Sequence, residues 1–368
     1  MQNDLSVLDK AIIYINNILK FSEAKVAKII ETLDDVSVIF SSSFKPNNIL
    51  SKILSEKEIN ELKHSDLTLV DKYISRYENE NVEIITIFSP FYPALLKEIT
   101  NKPNVFFAKG NISLLKSDQN LAVVGTRRCT NYGQEVTKSF CRVLAKAGVC
   151  IVSGLADGID SYAHKAALEV GGKTIAVMGS GFHNIYPSVN IGLVEDIIDK
   201  GGLIITQYEL DDTPVNYHFP QRNRIVAGLS KGLLLIEAPA RSGALITTEN
   251  ALEFNREIFV VPGRITDIYF AGSNEIIKTC QGQMVLSAED ILSYFGERNN
   301  YNAKKIDVQL SFEENLILDL LYVEDKHYEK LLIESNLKPH QLNSLLIKLE
   351  LKNLIKKLPG NIFTSTKF

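Results

Sequence analysis

The sequence predicts an α/β protein built on a doubly wound, mostly parallel sheet, with a small helical unit before it and another after it. Short apolar runs in the middle of the chain, helix-period segments between them, and polar breaks on either side carry that expectation. The runs are Leu121–Val124, Val149–Val152, Thr174–Met178, Leu203–Thr206, Leu233–Ile236 and Glu257–Val261. Four or five apolar residues in a row, without polar alternation, suit strands buried on both faces. Strands that alternate with helices imply βαβ crossovers and therefore parallel neighbours. Val136, Phe140, Val143 and Leu144 form one stripe on the first intervening helix, which Gly148 closes.

Residues 1–80 read as short helices joined by loops rich in Ser, Asn and Asp, such as SSSFKPNN. Ala24, Val26, Ala27, Ile29, Ile30 and Leu33 line one side of a helix in a small bundle. The Gly-hydrophobic-Gly turn of a helix-hairpin-helix is absent, so an interaction or packing role is expected. The sheet unit covers 82–295, and the polar Gly296–Lys305 (GERNNYNAKK) is the best linker in the chain. In residues 306–368, Glu314 to Leu321 and Glu329 to Leu332 suggest two helices. Pro339 opens a third, which carries Leu342, Leu345, Leu346 and Leu349. Leu354–Leu358, the Pro359-Gly360-Asn361 turn and Ile362–Ser365 read as a hairpin. Three helices and a hairpin outline a winged helix.

The 368 residues are enough for two or three cores, and 45% apolar with 23% charged side chains is the composition of an ordinary globular chain. Disordered and collagenous classes are excluded. Cys129, Cys141, Cys150 and Cys280 have no metal-ligand spacing and read as buried reduced thiols, which suits a cytosolic protein. The N-terminus has no signal-peptide pattern, and no apolar run approaches the roughly 18 residues that a membrane span needs, so no membrane partner is expected. The formal net charge of −4 argues at first against a polyanionic partner. Yet Gly125 to Cys150 holds five basic residues and one acidic, whereas Ile151 to Val215 holds three and nine. Basic motifs sit on an acidic scaffold.

Ligands of open parallel sheets bind beyond the carboxyl ends of the strands, where helix N-termini present free N–H groups. The distinctive strings fall at that edge. GTRRCTNYG (125–133) pairs glycine, which lets an anion approach the backbone, with the Thr126 hydroxyl and the planar fork of Arg127. SGLADGIDSYAH (153–164) offers a close turn through Gly154 and Gly158, with Asp160 placed to cap the next helix. Ser153 and His164 lack the G-x-S-x-G elbow of a hydrolase. MGSGFHNIYPSVN (178–190) holds half of a dinucleotide fingerprint and is a weak signal. In YHFPQRNRIVAGLS (217–230), Arg222 and Arg224 suit either phosphate or a structural clamp on carboxylates. EAPARSGALITTENAL (237–252) enters a helix through Arg241, Ser242 and Gly243, an anion-site composition. No P-loop and no metal constellation is present, so no cofactor is expected.

Taken together, VGTRRCTNYG, SGLADGIDSYAHKAAL, GKTIAVMGSG with IYPSVN, FPQRNRIVAGLS, EAPARSGALITTENA and VPG resemble the DNA-processing protein DprA (Smf) family. The preceding FYPALLKEITNKPNVFFAKGN resembles that family's entry into an extended Rossmann domain, and NLIKKLPGNIFTS its small winged helix. The resemblance implies a non-enzymatic homodimer that binds single-stranded DNA during natural transformation and loads the RecA recombinase onto it. By motif, its DNA-contacting group would comprise Gly125, Thr126, Arg127, Arg128, Phe219, Arg222, Arg224, Arg241, Ser242 and Gly243. Where members often carry a lysine, this chain has Asn216 and Ser188, so the pocket would either bind DNA less tightly or borrow charge from Lys138 or Lys231.

Single-strand binding needs a cationic groove and flat faces for bases, for which Tyr132, Phe182, Tyr186 and Phe219 are the candidates. With about four phosphates neutralised, log affinity would fall with log salt at a slope near −3. The rival is a Rossmann-like nucleoside monophosphate N-glycosidase, whose phosphate loop Gly243, Thr247, Thr248 and Glu249 echo. Arg241-Ser242 stands where that loop has paired glycines.

Overall fold

A computed structural model describes residues 5–296, 310–352 and 354–365, which divide into two compact units between residues 298 and 299. The larger unit is a nine-stranded sheet in the order β1-β2-β6-β5-β4-β3-β7-β8-β9. Its strands are β1 (Glu83–Thr86), β2 (Val105–Gly110), β3 (Asn120–Val124), β4 (Cys150–Ser153), β5 (Thr174–Val177), β6 (Leu203–Thr206), β7 (Gly232–Leu235), β8 (Glu257–Val260) and β9 (Gln283–Met284). From β6 to β9 every neighbouring pair is parallel, as the apolar runs predict. The runs coincide with β3 to β8 to within a residue at either end. Two further strands, β1 and β2, extend the sheet antiparallel beyond β6, with Ile84 opposite Phe107 and Phe107 opposite Thr206.

The crossovers are α7 (Asn131–Lys146), α8 (Ile159–Glu169), α9 (Ile191–Asp199), α10 (His218–Gly228), α11 (Gly243–Glu253) and α12 (Ala271–Lys278), preceded by α6 (Ala94–Glu98) and followed by α13 (Ala288–Leu292). Side chains alternate across the strands, so one apolar run feeds two cores. Leu121 and Val123 of β3 pack with Phe140, Cys141 and Leu144 of α7 on one face. Ala122 and Val124 pack with Ile225 and Val226 of α10 on the other. The strand order reverses between β3 and β7, and their carboxyl ends are therefore where a doubly wound sheet opens a crevice.

Before the sheet come α1 (Val7–Ile13), α2 (Glu23–Thr32), α3 (Leu50–Ile53), α4 (Glu56–Lys63) and α5 (Leu67–Glu78). On α2 the buried stripe is Val26 and Ile29, while Ala24 is exposed, so the apolar face is narrower than its composition suggests. These helices share one core with Ile84, Val105, Phe107 and Ile204 of the sheet and with α9. Tyr77 of α5 stacks on Phe107 with ring centroids 4.5 Å apart.

The smaller unit comprises α14 (Phe312–Val323), β10 (Lys326–His327), α15 (Tyr328–Ser335), α16 (Pro339–Leu351), β11 (Ile355–Leu358) and β12 (Ile362–Ser365). Its strands are ordered β10-β12-β11, and Pro339 opens α16. Leu342, Leu346 and Leu349 are buried against Ile317, Leu331 and Phe363. Gly360 and Asn361, both at positive φ, turn the hairpin. Linker residues 297–305 lie outside the described residues.

The cysteines do not all behave as expected. Cys141 and Cys150 are buried, but Cys129 is half-buried in a loop. Cys280 is exposed at a left-handed position just past α12, where the chain has left the core. No helix among the described residues is long and apolar enough to cross a membrane.

Candidate functional site

At the carboxyl edge of the sheet the loops after β3, β4 and β5 and the first turn of α10 enclose a cleft of about 220 Å³. Arg127 and Arg128 come from the β3 loop, Gly154, Ala156 and Asp157 from the β4 loop, Tyr186 and Pro187 from the loop after β5, and Phe219 and Arg222 from α10.

The β3 loop is held from two sides. The Thr126 N–H donates to the Glu237 carbonyl at 2.8 Å, and the Arg128 N–H to the Thr126 hydroxyl at 3.2 Å. Beneath them Gly158 has a φ of +78°, and a Cβ there would lie 2.5 Å from the Thr126 carbonyl oxygen and 2.6 Å from that of Arg127. Only glycine meets both conditions. The loop therefore rests on bare backbone and sends Arg127 and Arg128 outward, both exposed.

Below the β4 loop two buried charged side chains clamp the backbone. Arg222, only 4% exposed, donates through Nη1 to the carbonyls of Gly154 and Val177, and through Nε to Asn223 at 3.2 Å. Asp160 lies beside it and accepts from the N–H groups of Gly154 at 3.1 Å and Ala156 at 3.4 Å. It thus fixes the preceding turn, while Gly158 occupies the N-cap of α8. Burial raises the Asp160 pKa, opposed by Arg222, and brings Arg222 down to about 10 against the pull of Asp160. A Cβ at Gly154 would come within 2.7 Å of both the Arg222 guanidinium and the Asp160 carboxylate.

The aromatic wall consists of Phe219 and Tyr186, centroids 5.6 Å apart, with the Arg127 guanidinium 5.2 Å from the Phe219 centroid. The Phe219 ring covers Gly179, where a Cβ would come within 2.9 Å of it. Tyr186 is exposed and Phe219 half-buried. Phe182, by contrast, is buried in the core, and Tyr132 packs edge-on against Phe270.

Of the ten residues that the motifs single out, Arg127, Arg128, Phe219 and Arg222 line the cleft, and Gly125 and Thr126 shape its floor. Gly125 lets α8 approach, since a Cβ would strike Ile159 at 2.5 Å. Arg224 is not in this group: its Nη2 binds Glu23 of α2 at 2.9 Å and Gln207 at 2.8 Å. Arg241, Ser242 and Gly243 form the turn after β7 and line no part of the cleft. Ser242 accepts from the Ala244 N–H at 3.2 Å, and the Gly243 carbonyl from Asn223 at 3.4 Å. Sequence reasoning left Pro187, Ala156 and Asp157 out, although all three stand in strings it had placed at strand ends.

One expectation changes, and the rejection of a hydrolase site stands. Lys231 cannot lend charge here: it precedes β7, at the opposite edge of the sheet, with its ammonium over the rings of Tyr294 and Phe295. Ser153 and His164 have no mutual contact. Ser153 donates to the Val123 carbonyl, and His164 lies against the Thr174 hydroxyl at 2.6 Å, where burial brings its pKa down to about 3. Among the described residues no group of three or more His, Cys, Asp and Glu side chains is placed to hold a metal ion.

Residues 83–296 match the family model described as DNA recombination-mediator protein A. The chain is 42% identical over 250 residues to Protein Smf of Escherichia coli, covering 65% of this chain and 66% of that protein. It is 39% identical over 229 residues to the DNA processing protein DprA of Bacillus subtilis, covering 62% and 76%. The crystal structure of DprA from Streptococcus pneumoniae superposes with a TM-score of 0.58 at 31% identity, covering 79% of this chain and 94% of that one. DprA of Helicobacter pylori, whose structure is described for its single-stranded DNA binding mode, superposes with a TM-score of 0.53 at 29% identity, covering 58% and 95%.

Proposed function

The chain belongs to the DNA recombination-mediator protein A family, and on that premise we propose that its carboxyl-edge cleft binds single-stranded DNA. The observation that carries this is the Arg127 guanidinium over the Phe219 ring, beside Tyr186, at the mouth of an open cleft. A base stacks on an aromatic face whatever its identity, and an exposed guanidinium pairs with the adjoining phosphate. Arg222 contributes charge from below and holds the loops together, its donors being engaged by carbonyls. The protein then acts by holding the strand rather than by turning it over. It works as a homodimer and helps to load the RecA recombinase during natural transformation. The 306–368 unit serves as a winged-helix domain, the 82–295 unit as an extended Rossmann domain, and residues 1–80 as a helical interaction domain.

The test is fluorescence anisotropy with a labelled oligo-dT across a salt series. Two exposed arginines correspond to a slope contribution of about −1.4, so the double variant R127A/R128A should flatten the slope by that amount and weaken binding at low salt. A double variant that binds as tightly as the parent, with the same slope, would refute the cleft as the binding site.

A further inference from the structure

Glu237 directly follows the last apolar residues of the β7 run, and its side chain is fully buried. Among the described residues no basic side chain forms an ion pair with it, and the charged group that acts on it is another acid, Asp267. A buried carboxylate without a cation is costly unless hydrogen bonds satisfy it. Here the bonds come from one place. The Thr130 N–H donates to both carboxylate oxygens, at 3.1 and 3.2 Å, and the Thr130 hydroxyl to Oε2 at 2.9 Å. That hydroxyl in turn accepts from the Gly133 N–H at 3.1 Å, capping α7. Gly133 is so close that a Cβ would collide with Oε2. The backbone of the same glutamate takes the Thr126 N–H. One residue therefore grips the β3 loop at both ends, with Arg127 and Arg128 between the grips.

We propose that Glu237 is a positioning residue for single-strand binding: its buried carboxylate pre-shapes the Arg127–Arg128 loop so that both guanidiniums reach the strand without an ordering cost. A loop that is ordered before the ligand arrives gives up less entropy on binding. A glutamate is needed because it presents two acceptor oxygens to a backbone N–H and a hydroxyl together.

This inference rests on the cleft being the DNA site, and a double-mutant cycle on the full chain separates the two claims. With oligo-dT as probe, E237A should weaken binding by about tenfold and flatten the salt slope by about 0.7–1.4. In the R127A/R128A background the same substitution should change neither. E237Q keeps the shape and one acceptor, so it should fall between and serves if E237A does not fold. Without DNA, amide hydrogen exchange at Arg127–Thr130 should quicken in both Glu237 variants, while the interior of α7 stays protected. Equal losses in both backgrounds, or parental affinity in E237A beside a weakened R127A/R128A, would overturn the role of Glu237 alone. Parental affinity in R127A/R128A would remove the cleft reading, and this inference with it.

Discussion

Arg127, Arg128, Arg222 and Arg224 look alike in the sequence, two closely spaced pairs among polar residues in the strings GTRRCTNYG and FPQRNRIVAGLS, and the structure puts them to three uses. Arg127 and Arg128 are exposed at the cleft, Arg222 closes a buried clamp with Asp160, and Arg224 ties α10 to Glu23 of α2. The four-phosphate expectation therefore shrinks to two free guanidiniums per cleft. The uses predict different phenotypes. Removing Arg222 takes a buried charged donor from the Gly154 and Val177 carbonyls, at about 1–3 kcal/mol for each acceptor left unsatisfied, so R222A should lower the urea midpoint sharply. R127A/R128A should leave the unfolding free energy within about 0.5 kcal/mol of the parent, as surface changes do. Paired denaturant titrations check this, and an R222A protein as stable as the parent would discount the clamp. No local pattern separates the buried Arg222 from the exposed Arg127 and Arg128, because burial depends on what the rest of the chain lays over each.

At the scale of elements, the loop after β5 brings Tyr186 to the cleft and is tied down at its other end by His183. The Nδ1 of His183 faces Asp211 at 2.8 Å and its Nε2 faces Glu80, just past α5, at 2.7 Å. Both neighbours are acceptors, so both ring nitrogens must carry protons. Asp211 and Glu80 raise the His183 pKa above its usual value, and Arg76 and His183 lower that of Asp211. A raised folded-state pKa gives stability that is complete below the unfolded value of about 6.5 and is lost as pH rises through the higher folded one. The destabilisation caused by H183A should thus be largest near pH 6 and fade toward pH 9, as read from urea midpoints across that range. A pH-independent difference would mean that the ring acts by packing alone. Element types were legible here: β3 to β8 follow from apolar runs, and the turn of the final hairpin from Pro359-Gly360-Asn361. Strands β1 and β2 were not, because an antiparallel edge is defined by what it pairs with; Val105–Ala108 lies against β6 only through long-range register.

For the whole molecule, the net charge of −4 is a poor guide to partners, since a global sum hides the two exposed arginines, Arg127 and Arg128, that one loop places together at the cleft. The two units separate at residue 298, which makes a truncation informative. Deleting residues 306–368 should leave oligo-dT affinity within about threefold of the full chain if the cleft holds the strand. Loss of binding on deletion, measured by the same anisotropy assay, would move the site to the smaller unit. What the sequence determined by itself was the doubly wound sheet and the edge at which its motifs gather, because apolar period and glycine position are local properties. Which arginines face solvent, that Phe219 and Tyr186 rather than Tyr132 or Phe182 form the aromatic wall, and that Glu237 grips the loop of another strand were decided only by the tertiary structure. Those depend on contacts between residues about a hundred positions apart, such as Thr130 with Glu237, which chain order does not encode locally.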